Sequence, residues 1–341
     1  MSMRRSAASA PAPADRDAFA ADVARGLART PRRIPPKYFY DELGSALFEA
    51  ICRLPWYGIT RTEIALLAAR APEILRLAAP VSDLVELGPG YGGKLKTLVR
   101  SAGSRFDGRV HLVDVSGSAL DAAVRALGDR PDLVVRTYEA EYEAGLATAL
   151  GVRAAAAPGR FAPRGRALVC FLGSNVGNFD PPESAGFLAH LRASLAPGDG
   201  LLLGTDLVKA ERVLRLAYDD PLGVTAAFNR NLLARINGEL GGDFDLDGFA
   251  HEVRWDAAAT RIEMHLVSRR AQTVHVPAAG VTTTFAAGES IWTESSCKYT
   301  PAGVRTMLAR AGFDTTAQWI DAGFALTLGR AIAGAAPEPT R

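Results

Sequence analysis

The sequence predicts an α/β protein: a mostly parallel sheet finished by an antiparallel hairpin, with a second, α+β domain beside it. Three observations predict this. Residues 62–207 alternate between apolar, strand-like runs and helical patterns, which implies a parallel sheet covered on both faces. The apolar run Leu84 to Leu87 ends in a loop holding Gly88, Gly90, Gly92 and Gly93, and a helical pattern begins near Lys94. Finally, two short strands near the C-terminus are joined by Asp321-Ala-Gly323, and a connection that short permits only antiparallel pairing.

The elements follow in order. Residues 1–15, rich in Ala, Pro and Ser, read as a disordered tail and lack the apolar core of a signal peptide. Strands are expected at 82–87, 110–115, 133–138, 166–172 and 200–206, and helices at 63–78, 93–102, 117–128 and 182–195. Pro197-Gly-Asp-Gly200 is a tight turn. The pattern then breaks: helical segments at 209–217 and 224–238 precede alternating strands at 250–256, 261–269 and 272–277. A helix over 301–311, with Pro301 in its first turn, leads to strands at 315–320 and 324–329. The resulting division puts 16–61 and 208–298 in a ligand-side domain, and 62–207 with 299–334 in the sheet domain. A parallel sheet ended by a hairpin resembles the class I methyltransferase core, which is Rossmann-like; a dinucleotide-binding half does not end this way.

Composition excludes several classes. Apolar residues make up 48% and charged residues 22%, as in a soluble globular chain. A net charge of +2 argues against a nucleic-acid surface, and no apolar run reaches membrane length. Cys52, Cys170 and Cys297 are widely spaced and odd in number, which reads as reduced, buried thiols in a cytoplasmic protein. The five histidines show no metal-ligand spacing, so no metal is expected.

Three ligand families use a strand, a glycine turn and a helix to hold a nucleotide-like group. Gly88, Gly90 and Gly93 satisfy the dinucleotide spacing, but Glu86 would place an anion beside a pyrophosphate. Gly88 to Lys94 satisfies most of a P-loop, yet Leu95 stands where a hydroxyl should reach magnesium. S-adenosylmethionine has no phosphate and carries a sulfonium and an ammonium, which suit a Glu-x-Gly-x-Gly loop. Asp114 ends the next apolar run, where a carboxylate can accept both hydroxyls of a ribose. A glycine-rich turn that only packs helix on strand leaves Asp114 unexplained.

Longer segments resemble one family, the L-histidine Nα-methyltransferases of ergothioneine biosynthesis. They include Pro36-Lys-Tyr-Phe-Tyr-Asp41, Leu54-Pro-Trp-Tyr-Gly-Ile-Thr-Arg-Thr-Glu63, Phe171-Leu-Gly-Ser-Asn-Val-Gly-Asn178, Gly204-Thr-Asp-Leu-Val-Lys209, Gly223 to Asn231 and Thr293-Glu-Ser-Ser-Cys-Lys298. The resemblance runs from about residue 16 to 330. It implies S-adenosylmethionine contacts at Tyr40, Gly88, Lys94 and Asp114. It also implies an acid–aromatic pair flanking the adenine, here Glu141-Tyr142 where the family more often has Asp-Phe. For the amino acid it implies Tyr57, Gly173, Asn178, Tyr218, Met264, Glu294 and Ser296, with Tyr57 and Asn178 as the catalytic candidates and Tyr57 the one to orient the amine. The chemistry of these side chains agrees: Asn178 and Tyr218 can donate to a carboxylate, while Glu294 and Ser296, on one side of an extended segment, can meet the two ring nitrogens of an imidazole. Taken singly, Asn178 could close a turn, Tyr218 and Met264 could be core residues, and Glu294 a solvated charge.

The resemblance therefore implies trimethylation of the α-amine of L-histidine to hercynine by a monomeric enzyme whose partner is a small amino acid. No general base is identified. Where the family usually reads Leu-Pro-Glu-Tyr-Tyr, this chain has Trp56 and Gly58, and Trp56 is expected at the pocket entrance. The residues leave three alternatives: an α-N-methyltransferase of an aromatic amino acid, an NAD-dependent oxidoreductase, and a silent S-adenosylmethionine-binding module.

Overall fold

A computed structural model describes residues 13–102, 108–128, 133–155 and 165–333. The expected tail lies outside the described residues up to position 12, and 13–15 begin a helix. Helix α1 (Pro13–Ala28), strand β1 (Arg32–Arg33) and helix α2 (Glu42–Arg53) lead to helix α3 (Gly58–Ala78). The sheet domain follows: β2 (Val81–Leu87), α4 (Gly93–Ala102), β3 (Arg109–Asp114), α5 (Gly117–Leu127), β4 (Val134–Glu139), α6 (Tyr142–Ala155), β5 (Arg166–Phe171), α7 (Pro181–Ser194) and β6 (Gly200–Asp206). Helices α8 (Glu211–Tyr218) and α9 (Val224–Leu240) precede β7 (Phe249–Asp256), β8 (Arg261–Ser268), β9 (Gln272–Val276), β10 (Val281–Phe285) and β11 (Ser290–Cys297). Helix α10 (Pro301–Arg310) and strands β12 (Phe313–Asp321) and β13 (Phe324–Ala331) close the fold.

The main sheet has the order β12-β13-β6-β5-β2-β3-β4. Strands β2 to β6 pair in parallel, and β13 runs antiparallel to both β6 and β12. Alternate residues of the central strands feed opposite layers, as the two-residue period of a strand requires. Leu84, Leu112, Leu168 and Leu202 pack toward α3, α4 and α5. Val85, Val113, Val169 and Leu203 pack toward α6, α7 and α10. Both faces are thus covered, which is why β2, β3 and β5 are mostly apolar rather than alternating.

A second sheet has the order β1-β11-β8-β7, with β9 and β10 as a separate hairpin. Asp41 caps α2 by accepting from the Gly44 N–H at 2.6 Å, and it also accepts from Asn231 Nδ2 of α9 at 2.8 Å. That one carboxylate starts α2 and fastens it to α9.

Several elements differ from expectation. Helix α3 starts at Gly58, not at 63, so it carries the Thr-Arg-Thr-Glu segment on its first two turns. Helices α2 and α6 and strand β11 were not predicted. Strand β11 reads as polar because Thr293, Glu294, Ser295 and Ser296 occupy it, yet all four are buried.

Between the neighbouring strands β2 and β3, Asp83 accepts from Arg109 Nε at 2.7 Å and meets His111 Nε2 at 3.0 Å. Burial pushes its carboxyl up, but His111, Arg109 and Ser82 outweigh burial and bring it down to about 2. A folded-state value below the unfolded one, near 3.9, stabilises the protein above that pH and stops doing so as pH falls toward 2. Asp83→Asn should therefore lower stability by about 3–5 kcal/mol at pH 7, because buried Arg109 loses its counter-charge. Denaturant titrations at pH 7 and pH 3 check this, and the gap between variant and wild type should narrow at pH 3.

Candidate active site

The carboxyl ends of β2 and β3 carry the glycine loop and Asp114 to the wall of a cavity of about 790 Å³. Gly88 and Gly90 adopt φ of +70° and +53°, the left-handed region that glycine enters freely. A β-carbon at Gly88 would lie 2.7 Å from Asn175 Nδ2 and 3.0 Å from the Tyr142 hydroxyl, so the loop is drawn close to two other segments. Asp114 accepts from the Ser116 N–H at 3.0 Å. Burial raises its pKa, opposed by the N–H groups of Ser116, Gly90 and Val115 and by Lys94.

Tyr40, Gly88, Lys94, Asp114, Glu141 and Tyr142 all line this cavity. Tyr142 stands edge-on to Phe171 and Phe187. Glu141 pairs with Lys37 at 2.8 Å on the exposed side.

A pocket of about 30 Å³ adjoins the large cavity. Tyr57, Gly173, Asn178, Tyr218, Met264, Glu294 and Ser296 all line it, and Tyr57, Gly173 and Asn178 line both spaces. Residues from α2, α8, α9, β8 and β11, from the turn before α3 and from the loop after β5 converge on one point. Glu294 and Met264 are cross-strand neighbours, and Ser296 follows Glu294 on the same face. Burial pushes the Glu294 carboxyl up to about 7, against the pull of Lys298. Burial also holds the Tyr57 phenol well above its usual value, so it keeps its proton at neutral pH.

Two expectations move. Glu86 lines neither space, and among the described residues neither of its carboxyl oxygens has a hydrogen-bond partner. Burial, partly countered by Lys94, pushes it up to about 8, so near neutral pH it is largely uncharged rather than an anion facing a cation. Trp56 also lines neither space, and a β-carbon at Gly58 would meet nothing within 4 Å. The departures at 56 and 58 leave the pocket walls intact.

A family model described as histidine-specific methyltransferase, SAM-dependent, matches residues 19–331. The chain belongs to this family. It is 44% identical over 307 residues to the histidine N-alpha-methyltransferase of Mycolicibacterium smegmatis, covering 89% of this chain and 92% of that protein. It is 44% identical over 308 residues to the protein of the same name from Mycobacterium tuberculosis, covering 88% and 90%. Ergothioneine biosynthesis protein 1 of Schizosaccharomyces pombe is 27% identical over 231 residues, covering 66% of this chain and 29% of that protein.

This S-adenosylmethionine-dependent methyltransferase supports its pocket with residues that sequence reasoning passed over. Glu63, fully buried on α3, accepts the Gly173 N–H with both oxygens, at 2.9 and 2.8 Å, and lies 3.9 Å from Lys94 Nζ. Arg61 donates to the backbone carbonyls of Leu54, Pro55 and Tyr57, which fixes the turn that presents Tyr57. Both residues sit in the Thr-Arg-Thr-Glu segment quoted for the resemblance, and that was the available signal. Lys298, buried below the small pocket, closes another quoted segment.

Gly88→Ala should test the loop directly. The substitution forces a left-handed alanine, costing roughly 1–2 kcal/mol, and pushes Asn175 and Tyr142 aside. Calorimetric titration should show S-adenosylmethionine affinity lowered at least tenfold, and thermal melting should show a protein that still folds.

Proposed function

We propose that this methyltransferase transfers methyl groups from S-adenosylmethionine to the α-amine of L-histidine, three in succession, giving hercynine as a step of ergothioneine biosynthesis. The observation that carries the reading is the junction of a large nucleoside-sized cavity with a small polar pocket through Tyr57, Gly173 and Asn178. The names of the mycobacterial and fungal relatives point the same way. We also propose the two-domain division drawn from the sequence, a cytoplasmic location and a monomer.

The lining of the large cavity fits the donor. Gly88 and Gly90 keep β-carbons out of the cradle, Asp114 offers a carboxylate to the ribose hydroxyls, and Tyr142 offers an aromatic wall beside Glu141. Tyr40 and Lys94 complete the contacts proposed for this side. When bound, S-adenosylmethionine supplies an electrophilic methyl group. The protein's own contribution is alignment and desolvation; holding two reactants in line is worth roughly 7–11 kcal/mol.

On the substrate side, Asn178 and Tyr218 donate to the carboxylate, and Glu294 with Ser296 meets the imidazole, with Met264 as the flanking wall. Gly173 supplies backbone where a side chain would collide: its β-carbon would lie 2.9 Å from Lys94 Nζ. Tyr57, kept protonated by burial, orients the amine at the junction and does not abstract its proton. The small pocket has room for little more than a water, so substrate must part its walls.

Two substitutions test the assignments. Asp114→Ala removes two charge-assisted bonds to ribose, each worth ~1.5–3 kcal/mol, and should weaken S-adenosylmethionine binding at least tenfold by calorimetry. Unchanged affinity would detach the ribose from Asp114.

Glu294→Ala should raise the Michaelis constant for L-histidine far more than that for S-adenosylmethionine. The loss should be on the order of 2–5 kcal/mol, as for a desolvated charged hydrogen bond cut on one side. The enlarged, less polar pocket should penalise tryptophan and phenylalanine less than the wild type does. Initial rates with the three amino acids, with product masses showing one, two or three added methyls, check both substrate and endpoint. An unchanged histidine-to-tryptophan ratio would remove Glu294 as the selector.

A further inference from the structure

Below the small pocket lies a fully buried ammonium that the reading above leaves without a role. Lys298 Nζ donates to the Tyr218 hydroxyl at 2.9 Å, to Ser296 Oγ at 2.8 Å and to Asp206 Oδ2 at 3.1 Å. Those three bonds use every proton an ammonium has. The Tyr218 hydroxyl in turn donates to Ser296 Oγ at 2.7 Å. Burial alone would lower the Lys298 pKa, but Tyr218 and Asp206 raise it above the usual lysine value, so the group stays a cation and a pure donor.

The proton count of this triangle has a consequence. A hydroxyl carries one proton and two lone pairs. Ser296 Oγ accepts from both Tyr218 and Lys298, so its lone pairs are taken and its own proton must point away from the triangle. The small pocket, which Ser296 lines together with Tyr218 and Glu294, lies beside it. Should the proton between Tyr218 and Ser296 reverse, Tyr218 becomes the hydroxyl that points outward. Lysine has no lone pair, so the corner always exports a donor. With the bond between Tyr218 and Ser296 intact, one of the two hydroxyls points outward at a time.

We propose that Lys298 is a positioning residue that sets the hydrogen-bond polarity of the pocket: by filling one acceptor site of Ser296, with Tyr218 filling the other, it turns the Ser296 proton toward the substrate. The inference rests on the reading of Ser296 and Glu294 as the imidazole contacts. It adds a specification to that reading. A ring nitrogen facing Ser296 must present a lone pair while the other presents its N–H to Glu294, so the pocket takes the neutral imidazole in one tautomer. A ring with no lone pair to offer, such as indole or phenyl, leaves the Ser296 proton unpaired.

Kinetics of Lys298→Met, Ser296→Ala and the double variant test this. Lys298→Met leaves Asp206 paired, because Lys209 Nζ lies 2.5 Å from Asp206 Oδ1. Folding is checked by melting temperature and S-adenosylmethionine affinity, and Lys298→Met/Asp206→Asn serves as a second, charge-neutral variant. Lys298→Met should raise the Michaelis constant for L-histidine at least tenfold with S-adenosylmethionine affinity within threefold. In the Ser296→Ala background the same change should cost less than threefold more, because the proton it directs is already gone. Effects that simply multiply, or an unchanged constant in Lys298→Met, would overturn the inference alone. An unchanged constant in Ser296→Ala would sink the imidazole reading, and this inference with it. Loss of S-adenosylmethionine binding in both lysine variants would make Lys298 a folding residue and also overturn it.

Discussion

The carboxylate of Glu63 gripping the Gly173 N–H is the contact on which the rest of the site depends. It is fully buried, and burial raises its pKa, so it persists as an acceptor only because Gly173 and Lys94 compensate it. Glycine at 204 makes room for it: a β-carbon there would lie 2.1 Å from Glu63 Oε1. One end of this contact belongs to α3, which also carries Arg61 and, just before it, Tyr57. The other end begins the loop after β5, which carries Asn175 and Asn178. The glycine at 173 stands at φ +76°, which glycine enters freely, and the serine after it at +59°, a strained conformation that persists because Glu63 holds one side and the Asp206 N–H, donating to Ser174 Oγ, holds the other.

That loop is also where the two sheets meet. Asp180, just past Asn178, caps α7 and pairs with Arg33 at 2.5 Å and Arg261 at 3.4 Å. Both guanidinium groups lie over the Trp292 ring, at 4.6 and 4.5 Å from its centroid. An indole in contact with two cations that share one carboxylate joins β1, β8 and β11 to the start of α7. The strand carrying Glu294 and Ser296 is therefore set against the loop carrying Asn178 by a charged clamp rather than by apolar packing alone. A pocket assembled from both sheets needs such a joint, since a shift of an ångström between them would misplace every polar contact at once.

The parts of this architecture legible in the sequence are those with a local cause. Leu84 to Lys94 declares itself because an apolar run, positive-φ glycines and a helix start are all short-range features. The hairpin through Asp321-Ala-Gly323 is legible for the same reason: so short a turn leaves one pairing. The parts that escaped depend on distant partners. Strand β11 looks like a solvated segment until Thr293 is seen donating to Asn229 and Ser296 accepting from Lys298. Helix α2 owes its start to Asp41, whose carboxylate is also claimed by Asn231 far along the chain. Glu86 was misjudged because a carboxylate near a glycine loop looks like an anion, and only burial reveals that it is largely uncharged near neutral pH. Glu294, Met264 and Ser296 entered the argument through family resemblance, because residue type alone makes each of them ordinary.

The density of buried polar groups under the pocket follows from the task the family performs. An apolar slot distinguishes rings of similar size weakly, by roughly 1–3 kcal/mol for a methylene, whereas a buried donor or acceptor left without its partner costs a comparable amount for each group. Two such groups, one accepting and one donating, are harder to satisfy with the wrong ring than either alone. Burying Glu294 and Lys298 is unfavourable in itself, and a well-packed apolar replacement of a buried ion pair is often no less stable. Asp206 offsets part of that cost by serving Lys298 and Lys209 together. What Lys298 adds is direction: a cation with no lone pair leaves the hydroxyl pair above it to face the pocket as a donor. On the proposed reading, selectivity owes as much to hydrogen-bond polarity imposed from beneath the pocket as to pocket shape.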